Sequence, residues 1–199
     1  MAEYYLISQL PSLDGLNISN LLSGANASDG TQIPITEESF LDLCNRFLSK
    51  KSLQKMKALT LEPSIEFEKN EKINSRIIEC WNNGERDLRL ALAKARSEKM
   101  NKAFELGDRP LPSELCKIAS TAVDLDDPLE AEKLLLQYRL TFLEGLRPMD
   151  NFSEEYVFYY ALRLKLISRI KRFDTVVGET TYKNIYNSIL NGERTEDKR

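Results

Sequence analysis

Hydrophobic positions along this sequence recur at intervals of three and four, the spacing that gathers them on one side of an α-helix. The densest run is NFSEEYVFYYALRLKLISRIKRF, from Asn151 to Phe173. On a helix, Tyr156, Tyr159, Tyr160, Leu164, Leu166, Ile167 and Ile170 fall on one broad face, with Lys165, Arg169 and Arg172 opposite. Ser153 is placed to cap the first turn, and Glu154 and Glu155 follow where the helix dipole favours negative charge. Arg163 breaks the pattern, lying between Tyr156, Ile167 and Ile170. A guanidinium there needs a carboxylate or carbonyl partner, because an unpaired buried charge is strongly destabilising. This stretch is expected to be the helix around which the rest packs.

The other elements follow from the same spacing. Tyr4–Leu10 is aromatic and β-branched enough for a short strand and equally able to start a helix, and Pro11 ends it. The Asn-, Ser- and Gly-rich stretch 14–34 reads as a mobile loop. Thr36 caps a helix carrying Phe40, Leu43, Cys44, Phe47 and Leu48, and a second short helix spans Leu53–Leu59. From Phe67 the stripe Ile73, Ile77, Trp81, Leu88, Leu92, Ala95 stays in phase across Asn82-Asn83-Gly84, which predicts one long helix with a weak point there. A helix over Ser113–Val123 comes next. Asp127 then suits an N-cap, Pro128 the first helical position and Glu130 the third, where it would complete a capping box. That helix carries Ala131, Leu134, Leu135, Tyr138 and Phe142, and stops at Gly145 and Pro148. A last helix, about Glu179–Leu190, shows Tyr182, Ile185, Tyr186 and Ile189, followed by a polar tail at 191–199 expected to fray. The prediction is a single all-α domain over 1–199, an irregular bundle of about six or seven helices.

Composition narrows the function classes. With 199 residues, 42% of them hydrophobic and 30% charged, the chain can bury a sizeable core. The net charge of −3, with acids and bases interleaved, argues against a general nucleic-acid binder. No apolar run is long enough to cross a membrane, and no export signal is evident, so a cytoplasmic location is expected. Cys44, Cys80 and Cys116 are far apart and odd in number, which suits reduced thiols in a core.

Candidate chemistry is sparse. The chain has no histidine, which removes the commonest general base and transition-metal ligand and rules out Ser-His-Asp and Cys-His catalysis within it. It has neither a phosphate-binding P-loop nor a dinucleotide-binding glycine turn. The acidic pairs Glu37-Glu38, Asp126-Asp127 and Glu154-Glu155 all stand at helix starts, where capping and dipole effects account for them. No enzymatic activity and no cofactor are expected. Leu88-Arg89-Leu90, Tyr138-Arg139-Leu140 and Leu162-Arg163-Leu164 each set an arginine between apolar neighbours on a helix. Together with Arg86 and Arg96, these arginines are the candidates for structural or interfacial ion pairs, since the guanidinium fork suits bidentate carboxylate contacts.

Three stretches in order carry a family resemblance. They are YYLISQLPSL followed by ITEESFLDLC; CWNNGERDLRLALAKAR; and DPLEAEKLLLQYRLTFLEGL followed by YALRLKLISRIKRFD. Together they resemble an uncharacterised bacterial family encoded in V-type ATPase operons, in the place where the gene for the central-stalk socket would stand. In rotary ATPases that socket is an all-helical funnel on the cytoplasmic face of the rotor ring, which holds the end of the central shaft and performs no chemistry. The resemblance implies a non-catalytic coupling or assembly role, with central-shaft and rotor-ring proteins as partners. It also implies peripheral attachment to the membrane through them. The chain is shorter than a three-part funnel, which implies part of the socket or a further partner. Two other readings remain open: a free-standing helical adaptor that binds a partner helix, and a small-molecule enzyme using carboxylates or tyrosines in an apolar pocket.

Overall fold

The structure, a computed structural model, describes residues 2–14, 16, 33–62, 75–103, 110–171 and 175–196. Among them are eight helices and no strand. The predicted loop at 14–34 and the predicted helix start at Phe67–Ile73 lie almost wholly outside the described residues, as does Arg172.

Helix α1 (Ala2–Gln9) settles the ambiguous N-terminal stretch as helix and accounts for one element more than the six or seven expected. It buries Leu6, and Leu13 beyond it also enters the core. Helix α2 (Glu37–Phe47) starts at Thr36, whose hydroxyl accepts from Ser39 N at 3.2 Å. Helix α3 (Lys50–Ala58) begins earlier than expected because Ser49 serves as its cap, accepting from Ser52 N at 3.1 Å.

Helix α4 (Arg76–Lys99) runs unbroken for 24 residues through Asn82-Asn83-Gly84. Gly84 has a packing reason: a Cβ there would overlap the Phe142 ring, which lies between Trp81 and Tyr138. The glycine thus lets two helices approach closely, at a helix-propensity cost of about 1 kcal/mol relative to alanine. Ser75 Oγ accepts from Ile78 N at 3.4 Å, and Glu155 Oε2, from the helix that follows much later, accepts from Ile77 N at 2.8 Å. One first-turn carboxylate of the central helix therefore serves the N-terminus of another.

Helices α5 (Ser113–Asp124) and α6 (Pro128–Gly145) follow. Asp127 caps α6 through Leu129 N at 2.8 Å, while Glu130 pairs with Lys133 at 2.8 Å and makes no reciprocal capping bond in the described contacts.

Helix α7 (Glu154–Lys171) is the centre, and α1, α2, α3, α4 and α6 all pack against it. Every residue from Val157 to Leu164 is buried, as are Leu166, Ile167 and Ile170. The expectation of one apolar and one basic face is corrected here: five neighbouring helices leave no wide solvated side, so Val157, Phe158, Ala161 and Leu162 are buried too. The basic residues placed opposite are tied down as well. Lys165 reaches Glu37 at 3.3 Å and Arg169 reaches Glu132 at 2.8 Å. Helix α8 (Thr175–Glu196) comes last and continues as helix through 191–196 of the predicted tail.

Among the described residues, two hydrophobic clusters form the interior. The larger surrounds α7 and takes in Trp81 of α4 and Leu136, Leu140 and Leu143 of α6. The smaller, Leu88, Ala91, Leu92, Leu115, Ala119, Ala122 and Leu135, lies among α4, α5 and α6. Helices α4 and α6 run through both.

Candidate functional site

The groups of greatest chemical interest converge where α6, α7 and the segment after α1 meet. Arg163, in the middle of α7, is 8% exposed. Its Nη1 donates to Glu144 Oε2 at 2.5 Å and to Tyr159 Oη at 2.7 Å. Tyr159 in turn donates to the same carboxylate oxygen at 2.6 Å. The i,i+4 spacing of Tyr159 and Arg163 puts both over the C-terminal end of α6, where Glu144 stands. Just beyond, Arg147 grips Asp14 with both arms, Nη1 to Oδ1 at 3.3 Å and Nη2 to Oδ2 at 3.2 Å. Its guanidinium also lies 5.9 Å from the ring centres of both Tyr156 and Tyr159. Asp14, Glu144, Arg147, Tyr159 and Arg163 are among the residues that line an open cleft of about 500 Å³.

The electrostatics follow from these contacts. Burial pushes the Tyr159 phenol up, and its hydrogen bond to Glu144 adds to this, against the opposing influence of Arg163, so its pKa reaches about 12. Burial also pushes the Glu144 carboxyl up, but the Tyr159 hydrogen bond and the charges of Arg163 and Arg147 outweigh it and hold the group below the usual carboxylate range. Glu144 is thus kept ionised as an acceptor, and Tyr159 is kept protonated as its donor.

The second buried pair lies at the seam between the two hydrophobic clusters. Glu85, 2% exposed, receives Arg139 Nε at 2.7 Å and Nη2 at 3.3 Å. Glu85 stands between Trp81 and Leu88 on α4, and Arg139 between Leu136 and Leu143 on α6, so the bidentate contact fixes where the two helices pass from one cluster to the other. Glu132 links Arg139, at 3.8 Å, to Arg169 of α7, at 2.8 Å.

The remaining candidate arginines are placed differently. Arg89 is largely exposed and faces Glu62 at 3.8 Å, Arg86 is half-buried and partnered, and Arg96 is exposed in the last turn of α4, where a cation suits the helix dipole. Sequence reasoning identified Arg163 and Arg139 but missed Glu85, Glu144, Arg147 and Asp14. Only the Glu144–Arg147 i,i+3 spacing was available as a local signal, and these two do meet at 3.5 Å. The others come from distant parts of the chain.

A third feature is a surface. All residues from Gly178 to Leu190 on α8 are exposed. Tyr182, Ile185, Tyr186 and Ile189 form an apolar stripe there, each more than half exposed, with the two tyrosine rings stacked 6.1 Å apart. The cysteines are free thiols, and burial pushes the Cys44 thiol up to about 12, which makes it a poor nucleophile. Among the described residues no group of three or more His, Cys, Asp or Glu side chains is arranged to hold a metal ion.

Residues 97–193 match a family described as a protein of unknown function (DUF2764). The matched span reaches from the end of α4 into α8 and includes Arg139, Glu144, Arg147, Tyr159 and Arg163, but neither Glu85 nor Asp14. No match is found among curated proteins or among solved structures.

Proposed function

We propose that this protein is a non-catalytic coupling or assembly component of a V-type rotary ATPase, linking the central shaft to the membrane rotor ring. The ordered sequence motifs point to that assembly. The structural observation that supports an interaction role is the stripe on α8, four large apolar side chains at i, i+3, i+4 and i+7 that stand in solvent. A component that transmits torque needs a stiff body and a surface that finds its binding energy on a partner. Burying side chains of this kind yields about 1.5–3 kcal/mol each when fully removed from water. The internal pairs Arg139–Glu85 and Arg163–Glu144 cross-brace α4, α6 and α7 and suit the stiff part. No helix among the described residues is long and apolar enough to cross a membrane, so in this reading the protein is held on the cytoplasmic face through its partners.

The α8 stripe also favours a second reading, a free-standing adaptor whose helix lies in the groove of another protein. Native purification of the tagged chain from detergent-solubilised membranes separates the two. The coupling role predicts co-purification of rotor-ring and central-shaft proteins, with crosslinks from α8. An ATPase isolated intact without this chain, and a complex with another protein that persists when the ATPase genes are deleted, would establish the adaptor instead.

A further inference from the structure

The cleft beside Arg147 and Arg163 is built like a receptor with its own occupant in place. Arg147 presents its planar fork to Asp14 through two nearly equal contacts, the geometry of carboxylate recognition. The guanidinium also lies 5.9 Å from the ring centres of Tyr156 and Tyr159 and 3.5 Å from Glu144 Oε1, so its position does not depend on Asp14 alone. Arg163, more than nine-tenths buried, stands 3.7 Å from Asp14 Oδ1, and its Nε has no hydrogen-bond partner. The Asp14 side chain is itself half exposed. The chain is anchored beside it by Leu13, 3% exposed in the core, and by Pro11 O, which accepts from Tyr160 Oη at 2.8 Å. The half-exposed Asp14 side chain thus has solvent to turn into, while the backbone before it is held.

We propose that this cleft binds a monocarboxylate, which takes the place of Asp14 on Arg147 and Arg163. The charge count selects the class of ligand. With Asp14 withdrawn, two guanidinium groups face one remaining carboxylate, Glu144, which leaves a single positive charge to be met. A dianion such as phosphate would be repelled by Glu144, which its neighbours hold ionised. Gln137 and Thr141 line the cleft together with the nearly buried Leu140 and Leu143, and its volume of about 500 Å³ admits more than the carboxylate alone, so the group arrives on a short stem. Such a stem belongs either to a free short-chain acid or to a glutamate side chain of a partner protein. The proposal stands on this geometry and does not rest on the coupling role.

The test uses the full chain and two probes, sodium butyrate and the blocked tripeptide acetyl-Ala-Glu-Ala-amide, titrated at constant ionic strength and followed by tyrosine fluorescence. Removing the resident carboxylate in Asp14→Ala should tighten probe binding at least tenfold over the wild type. Adding Arg147→Gln should abolish saturable binding while circular dichroism stays unchanged. Asp14→Asn, which keeps the shape and removes the charge, should rank with the alanine variant and covers the case in which that variant fails to fold. Tighter binding of the tripeptide than of butyrate identifies a partner's glutamate as the source, and the reverse identifies a free acid. Absence of saturable binding of both probes to the folded Asp14 variants, or binding that survives Arg147→Gln, overturns the proposal.

Discussion

Helices α7 and α8 are neighbours in sequence and are written in similar residues. Each carries tyrosines and branched aliphatics at helical spacing. In α7 they are interior: Tyr159 donates to Glu144, Tyr160 donates to Pro11 O, and Val157 to Leu164 are buried without a break. In α8 the equivalent residues stand in solvent, with Tyr182 68% and Ile185 55% exposed. The contrast teaches that a stripe at i, i+3, i+4 and i+7 specifies a helix and a face, but says nothing of what covers the face. For α7 the cover comes from five other helices of the same chain. For α8, in the reading adopted here, it comes from another protein.

Phe158→Ala removes a fully buried ring from α7 and should lower the unfolding free energy by about 3–5 kcal/mol in denaturant titration. Next in size is Arg139→Met, which leaves Glu85 as an uncompensated charge between the two clusters and should cost about 3 kcal/mol. The double change Glu85→Leu with Arg139→Met should recover most of that loss, because the charge and its partner leave together. Wild-type stability in Arg139→Met alone would show that Glu85 finds water and that the seam is not sealed.

Smaller effects come from pH. Tyr159 has a folded pKa raised to about 12 from an ordinary 10, so its stabilising contribution is complete below pH 10 and is lost as pH rises towards 12. Glu144 has a folded pKa below its ordinary 4.5, so its contribution is complete above that value and is lost as pH falls through the folded pKa. Tyr159→Phe should reduce the alkaline limb of a stability–pH curve and also make its acid limb shallower, because the Tyr159 hydrogen bond is the foremost influence lowering Glu144. The smallest expected change is in α8, where Ile185→Ala should alter stability by no more than about 0.5 kcal/mol, because the side chain is exposed. A loss as large as that of Phe158→Ala would mean that the α8 stripe is covered within the isolated chain.

Local rules carried much of the fold. Caps at Thr36, Asp127 and Ser153 were legible because a cap is a contact between residues two or three apart. The unbroken α4 was legible from the phase of its stripe, although the reason for Gly84, the Phe142 ring, lies on α6 and was not. The need of Arg163 for a partner could be read from its apolar neighbours. That the partner is Glu144, 19 residues away on the preceding helix, could not, because helix packing sets it. The same holds for Arg139 and Glu85, 54 residues apart, and for Arg147 and Asp14, 133 apart. The mistaken two-faced reading of α7 arose because periodicity records where apolar residues are, while burial depends on how many elements arrive.

Amide hydrogen exchange of the full chain, resolved by residue along α7 and α8, tests most directly whether these helices play opposite parts. Amides of 157–167 should exchange only through global unfolding, with protection that tracks the denaturant-derived stability, and those of 178–190 should exchange orders of magnitude faster by local opening. Protection of α8 equal to that of α7 in the isolated chain would contradict this, since the stripe would then already have its cover.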